Sequence, residues 1–273
     1  MARQEIRRAF CVRHEHARSP MTRISTLAAW ALLVTATSAT SACGQTQDAA
    51  PQAAAAGNVN ADSLLARADR ARMKGADSAQ VTIIEISDFQ CPYCREFATT
   101  TYRQIDSAYV RTGRARMLYI NLPLSTHREA FGAAEAAMCA GAQGKFWQMH
   151  DRLFATQREW SGRPDAARTF ERLAGDVEVD MAAWRDCTAN DRTASIVIAD
   201  AMQAAEARIN GTPTFIINGR GAQRALSGAV PFDQFAREMD AVLSGQPAAA
   251  PAQPQAPPAQ TPPAQAQPAP ARP

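Results

Sequence analysis

The sequence predicts an α/β fold: a mixed central sheet flanked by helices, with an inserted helical subdomain. Three observations lead there. A β-branched run at 81–87, "VTIIEIS", precedes a helical period and then a second strand at 116–122, so the domain opens with a parallel pair and a right-handed crossover. A strand at 214–217 with Asn218-Gly219 after it is a hairpin signal that adds antiparallel strands. Between them, over about 126–210, lies more helical pattern than one crossover requires.

The ends of the chain read differently from its middle. Residues 24–36, "ISTLAAWALLVTA", are too short to span a bilayer as a helix and have the parts of a secretory signal. Met21 gives a compact start to that signal, so translation begins at Met1 or at Met21. "TSAC" before Gly44 resembles a bacterial lipobox, with Thr40 where Leu is usual; Cys43 is the candidate lipidation site and cleavage after Ala42 the alternative. Residues 1–42 are therefore expected to be a leader, with Cys11 inside it, and 43–60 a flexible tether. The folded domain is expected over 61–244. Residues 245–273, almost wholly Ala, Gln and Pro, read as a disordered, partly polyproline II tail.

The net charge of +3 is local. The leader holds six Arg against two acids, which leaves 23 basic and 24 acidic residues for the remainder, so nothing suggests a nucleic-acid footprint.

Within the domain, Cys94 to Arg111 reads as one helix with Phe97, Thr101, Ile105 and Ala108 on a face and Gly113 as its cap. Thr126-His127-Arg128-Glu129 reads as a capping box opening a helix toward Ala140. Lys145 to Phe154 puts Phe146, His150 and Leu153 together. Shorter helices are expected near 167–174 and 180–188, and a longer one over 192–209 with Ile198, Met202, Ala205 and Ile209 in register. Pro231 starts a last helix whose stripe is Phe232, Phe235, Met239 and Val242.

The chemistry sits in "SDFQCPYC", 87–94. Cys91 falls where the first strand gives way to a helix, as its N-cap, with Pro92 at the first helical position and Cys94 one turn inside. Unpaired amides and the helix dipole stabilise a thiolate there, so Cys91 should be acidic, exposed and reactive, and Cys94 shielded and resolving. A zinc site would want a second close pair of ligands, and only Cys139, Cys187, His127 and His150 remain for it. A purely structural disulfide between Cys91 and Cys94 is the other alternative to thiol exchange. The Thr212–Pro213 bond is either cis, holding Thr212 open beside the cysteines, or an ordinary strand start. Glu85 is either a buried carboxyl of raised pKa that relays a proton for Cys94, or a side chain turned to water.

"VTIIEISDFQCPYC", "AAMCAGAQGKFWQMHDRLF" and "INGTPTFIINGR" together resemble the DsbA-like thiol:disulfide oxidoreductases of the thioredoxin superfamily, in that family's order, over about 81–243. The resemblance implies a thioredoxin fold with a helical insertion, Cys91 as nucleophile, Cys94 as its partner, Pro213 as the cis-proline and Glu85 as the buried acid. Thr212, Pro92 and Tyr93 would meet the substrate. It implies no metal and no cofactor beyond the redox-active Cys91–Cys94 disulfide. In an oxidising compartment Cys139 and Cys187 would form a structural disulfide, two separate buried thiols being the alternative.

The implied partners are reduced or unfolded secreted proteins and a membrane redox protein that recycles the pair. The implied place is the periplasm or cell envelope, with a monomer touching the membrane only through a lipid on Cys43. Oxidase is favoured over reductase. Thr212 resembles the isomerases, but residues 60–80 leave no room for their dimerisation domain. A metal-carrying envelope lipoprotein using the same two thiols is the rival of another class.

Overall fold

The structure is a computed structural model that describes residues 56–246, with side chains from residue 63. The leader, Cys11, Cys43, most of the tether and nearly all of the tail lie outside the described residues.

Helix α1 (Ala56–Ala71) leads into a short strand β1 (Met73–Gly75), then β2 (Val81–Ser87) and α2 (Pro92–Thr99). Next come α3 (Thr101–Ile105), which runs on as a π-turn (Asp106–Val110), and β3 (Ala115–Asn121). The insertion comprises α4 (Ala130–Gly141), α5 (Phe146–Ala155), α6 (Gln157–Trp160), α7 (Ala166–Asp176), α8 (Met181–Ala189) and α9 (Ala194–Glu206). Strands β4 (Thr214–Gly219) and β5 (Ala222–Ser227) and helix α10 (Phe232–Leu243) close the domain.

The sheet order is β1-β3-β2-β4-β5; β2 and β3 are parallel and the other pairs antiparallel. The alternating pattern of a strand explains the layers. Val81 and Ile83 of β2 face α2, α3 and α10 with Phe97, Ile105, Phe215 and Phe235. Ile84 and Ile86 face the other way, with Leu118, Ile120 and Ile216, under Ala204 of α9. Each of these fully buried aliphatic side chains stabilises by about 1.5–3 kcal/mol. With both faces covered, every residue of β2 is buried, and Glu85 is taken down with its neighbours.

Five expectations are corrected. The tether was expected to reach residue 60, but α1 already begins at Ala56. The helix read as continuous from Cys94 to Arg111 breaks at Thr100 (φ −118°, ψ −81°). The run Thr99-Thr100-Thr101 causes it: the Thr99 and Thr100 hydroxyls donate to the carbonyls of Arg95 (2.8 Å) and Glu96 (2.6 Å), competing with the helix ladder.

The capping box does not form; α4 starts at Ala130 without a side-chain cap, because Glu129 is bonded to Gln90 instead. On α9 the buried residues are Ile196, Val197, Asp200 and Ala204, while Ile198 and Met202 stand 49% and 60% exposed. Asp200 makes a buried ion pair with Arg72 (2.5 Å) and accepts from the Asn121 side chain (2.8 Å), so a charge occupies the inner face where an apolar residue was expected.

The hairpin turns two residues later than expected. Arg220 and Gly221, both at positive φ (50° and 76°), make the turn, and Gly219 lies in β4. Gly219 serves close packing: a Cβ there would sit 2.4 Å from the Gln80 carbonyl oxygen.

Candidate active site

Strand β2 ends at Ser87, and a tight turn carries the chain into α2. Asp88, 2% exposed, builds that turn: its Oδ1 accepts from the Gln90 amide (2.7 Å), and its carbonyl accepts from the Cys91 amide (3.1 Å). Its Oδ2 reaches the β3–α4 loop, accepting from the Leu124 amide (2.8 Å) and meeting His127 Nδ1 (2.7 Å).

Cys91 is the N-cap of α2 in extended backbone (φ −67°, ψ 126°), with Pro92 at the first helical position. The insertion holds this turn from the other side. Gln157 Nε2 donates to the carbonyls of Phe89 (2.7 Å) and Cys91 (2.9 Å). Gln90 exchanges two hydrogen bonds with Glu129, and Glu129 Oε2 also accepts from the Gly162 amide (3.1 Å).

The Thr212–Pro213 peptide is cis, which leaves the strand-start alternative aside. It brings the Thr212 carbonyl to 3.5 Å from Cys91 Sγ, where the protonated thiol donates to it. Pro213 is buried and Thr212 half-buried, whereas Pro92 is exposed and Tyr93 is 62% exposed.

Cys91 and Cys94 are both thiols. The expectation of an exposed Cys91 is corrected: it keeps only 4% of its surface, and Cys94 none. The Cys91 pKa is lowered to about 6. A hydrogen bond from the Cys94 thiol is the largest cause, opposed by burial. The Thr212 side chain and the amides of Cys94 and Tyr93 lower it further. The helix-start amides contribute, as their position requires, yet the neighbouring thiol outweighs them. Burial and the adjacent Cys91 sulfur push the Cys94 thiol well up. The two sulfurs are thus held far apart in acidity.

Glu85 stands beside Tyr119 in the β2–β3 register and on the same face as Ser87. Both its carboxyl oxygens are buried without a close partner, and burial raises its pKa to about 8, with the Ser87 hydroxyl acting in the opposite sense. The alternative of a side chain turned to water is overturned. Ser87 also acts on the Cys94 thiol, lowering its pKa against the larger effect of burial.

Cys139 of α4 and Cys187 of α8 are joined by a disulfide (Cα–Cα 5.8 Å, 48 residues apart in sequence). Among the described residues, no group of three or more His, Cys, Asp or Glu side chains could hold a metal ion, and no helix is long and apolar enough to cross a membrane.

Sequence reasoning missed Asp88, Gln90, Glu129 and Gln157. Asp88 left a signal, since an Asp two residues before an amide at a strand end is an Asx-turn pattern. Gln157 left none; its role depends on where α6 is docked.

Known proteins agree with this geometry. The Thioredoxin family matches residues 67–237, more than half of the chain. A Na(+)/H(+) antiporter NhaA 3 of Salinispora tropica is 40% identical over 154 residues, 56% of this chain but 22% of the antiporter, so the chain spans about a fifth of that relative. A protein of Bacillus anthracis named "Probable disulfide bond formation protein D" is 26% identical over 53% of this chain and 68% of its own length. Oxidised BdbD from Bacillus subtilis has the same fold, with a TM-score of 0.58 at 20% identity over 63% of this chain and 92% of that one. The chain belongs to the thioredoxin family, DsbA-like in carrying a helical insertion within the thioredoxin fold.

Proposed function

We propose that the protein is a thiol:disulfide oxidoreductase that oxidises reduced, unfolded secreted proteins through Cys91 and Cys94. The observation that carries this reading is the split in thiol acidity, with Cys91 lowered to about 6 and Cys94 raised. A stabilised thiolate favours the reduced pair, which makes the corresponding disulfide oxidising.

The cycle begins with Cys91 and Cys94 joined. A substrate thiolate attacks the Cys91 sulfur, the bond to Cys94 breaks, and a mixed disulfide forms. Cys94 leaves as a thiolate and takes a proton from Glu85, which is protonated at neutral pH. The substrate's second thiolate then attacks its own sulfur in the mixed disulfide and releases Cys91. Two electrons pass from substrate to enzyme. One of the two substrate protons ends on Cys94, after Glu85 is refilled from solvent, and the other goes to water because Cys91 stays ionised. The Thr212 backbone and the exposed Pro92 and Tyr93 are where a substrate chain would lie.

The same reading puts the protein in the periplasm or envelope, tethered by a lipid on Cys43, with a membrane redox partner to reoxidise it. The names of the Bacillus relatives support the disulfide chemistry; the antiporter matches carry no activity across, given the small share covered. Refolding of a reduced, unfolded substrate by the wild type and by Cys91→Ser tests it, together with the reduction potential. Equal refolding rates end the enzyme reading. A potential near −270 mV, about that of thioredoxin, makes the protein a reductase.

A further inference from the structure

Two cavities are lined by neighbours of Cys91 and share no lining residue. One, of about 360 Å³, includes Thr212 and Pro213; the other, of about 440 Å³, includes Pro92, Arg95, His127, Gln157 and Arg158. The second is polar and cationic. His127 is engaged by Asp88, and Glu129 is bonded to Gln90 and Gly162, so the surrounding carboxylates are occupied elsewhere. Among the described residues, Arg95 and Arg158 have no carboxylate within ion-pair distance, unlike Arg152 and Arg172. Arg95 Nε is in addition buried without an acceptor. A desolvated guanidinium donor left unmatched is unfavourable, and an ionised carboxylate is the acceptor that matches it best.

We infer that this cavity is a substrate subsite for a carboxylate side chain, held by Arg95 and Arg158, on a polypeptide within a few residues of its reacting cysteine. The inference rests on the exchange reading of Cys91 and adds to it a preference for acidic segments. A polypeptide fits better than a free anion because each cavity is lined by a residue next to Cys91, Pro92 in one and Thr212 in the other. Pro92 follows Cys91 in the chain, and Thr212 is bonded to it. An extended segment advances about 3.3 Å per residue, so one that pairs with the Thr212 edge reaches the arginines within a few positions.

The test uses dithiol peptides that are identical except for Asp, Gln or Lys on either side of the reacting cysteine. Oxidation rates are measured with the oxidised wild type and with the double variant Arg95→Gln, Arg158→Gln. The affinity of labelled peptides carrying serine in place of cysteine is measured alongside. The expected Asp-to-Gln ratio is about tenfold for the wild type at low salt, with Lys slowest. It should fall toward one in the double variant and weaken at about 0.5 M salt. Asp and Gln peptides that react and bind equally well with the wild type overturn the subsite. Reduced glutathione gaining rate from the two arginines while the peptides do not discriminate also overturns it, in favour of a small thiol. If no peptide is oxidised yet Asp peptides bind more tightly, the exchange reading fails and the subsite stands.

Discussion

The Thr212 carbonyl lies 3.5 Å from the Cys91 sulfur, two residues 121 positions apart held together by a cis-proline loop against a helix start. The same threonine supplies the hydroxyl that lowers the Cys91 pKa. Thr212→Val keeps the shape and removes that donor. The Cys91 titration should move upward, and alkylation of the reduced protein at pH 6 should slow about threefold. An unchanged alkylation rate means the hydroxyl does not act on the sulfur.

Glu85→Gln should make the folded protein more stable at neutral pH. A carboxyl raised from 4.5 to about 8 is protonated in the fold and ionised in the unfolded chain across that window. Its presence therefore costs nothing below about pH 4 and progressively more as the pH rises toward 8. At pH 7 the gain should be on the order of 3 kcal/mol, shrinking to nothing near pH 4. Denaturant melts at the two pH values check it, and the exchange rate should fall because Cys94 loses its proton donor. A gain independent of pH would contradict the buried-acid account.

Replacing both Cys139 and Cys187 with Ala opens a loop whose ends are 48 residues apart. The chain-entropy argument gives a loss of about 4 kcal/mol, read as a lower denaturation midpoint. The Cys91 titration should be unmoved, since the bond joins α4 to α8 and neither of its cysteines is among the groups that set the Cys91 pKa.

Gln157→Ala leaves the buried Phe89 carbonyl without a donor and removes one of two donors at the Cys91 carbonyl, the other being the Arg95 amide (3.1 Å). About 1–3 kcal/mol of stability should go, with faster hydrogen exchange confined to the turn before α2. Uniform exchange across the sheet would assign Gln157 to the core at large instead.

The fold was legible where pattern and burial coincide. β2 and the N-cap at Cys91 stand where period and spacing put them, and α10 buries Phe235, Met239 and Val242. Two of the errors share a cause, namely polar groups recruited over long distances. Asp200 is turned inward by Arg72, so the apolar face of α9 is not its buried face. Glu129 is taken by Gln90 in place of its own helix start. Gly219 answers to the backbone of a neighbouring strand and not to a turn. The two thiols could be read from eight consecutive residues, but the clamp around them could not. Gln157 reaches Cys91 only after the chain has folded, whereas the place of Thr212 beside the thiols was legible from the proline that follows it.

The most direct measurement is a titration of the reduced wild-type protein by thiolate absorbance at about 240 nm, where Cys91 is the thiol expected to ionise first. The account predicts a midpoint of about 6. A midpoint near 8.5, the value of an unperturbed cysteine, would contradict it.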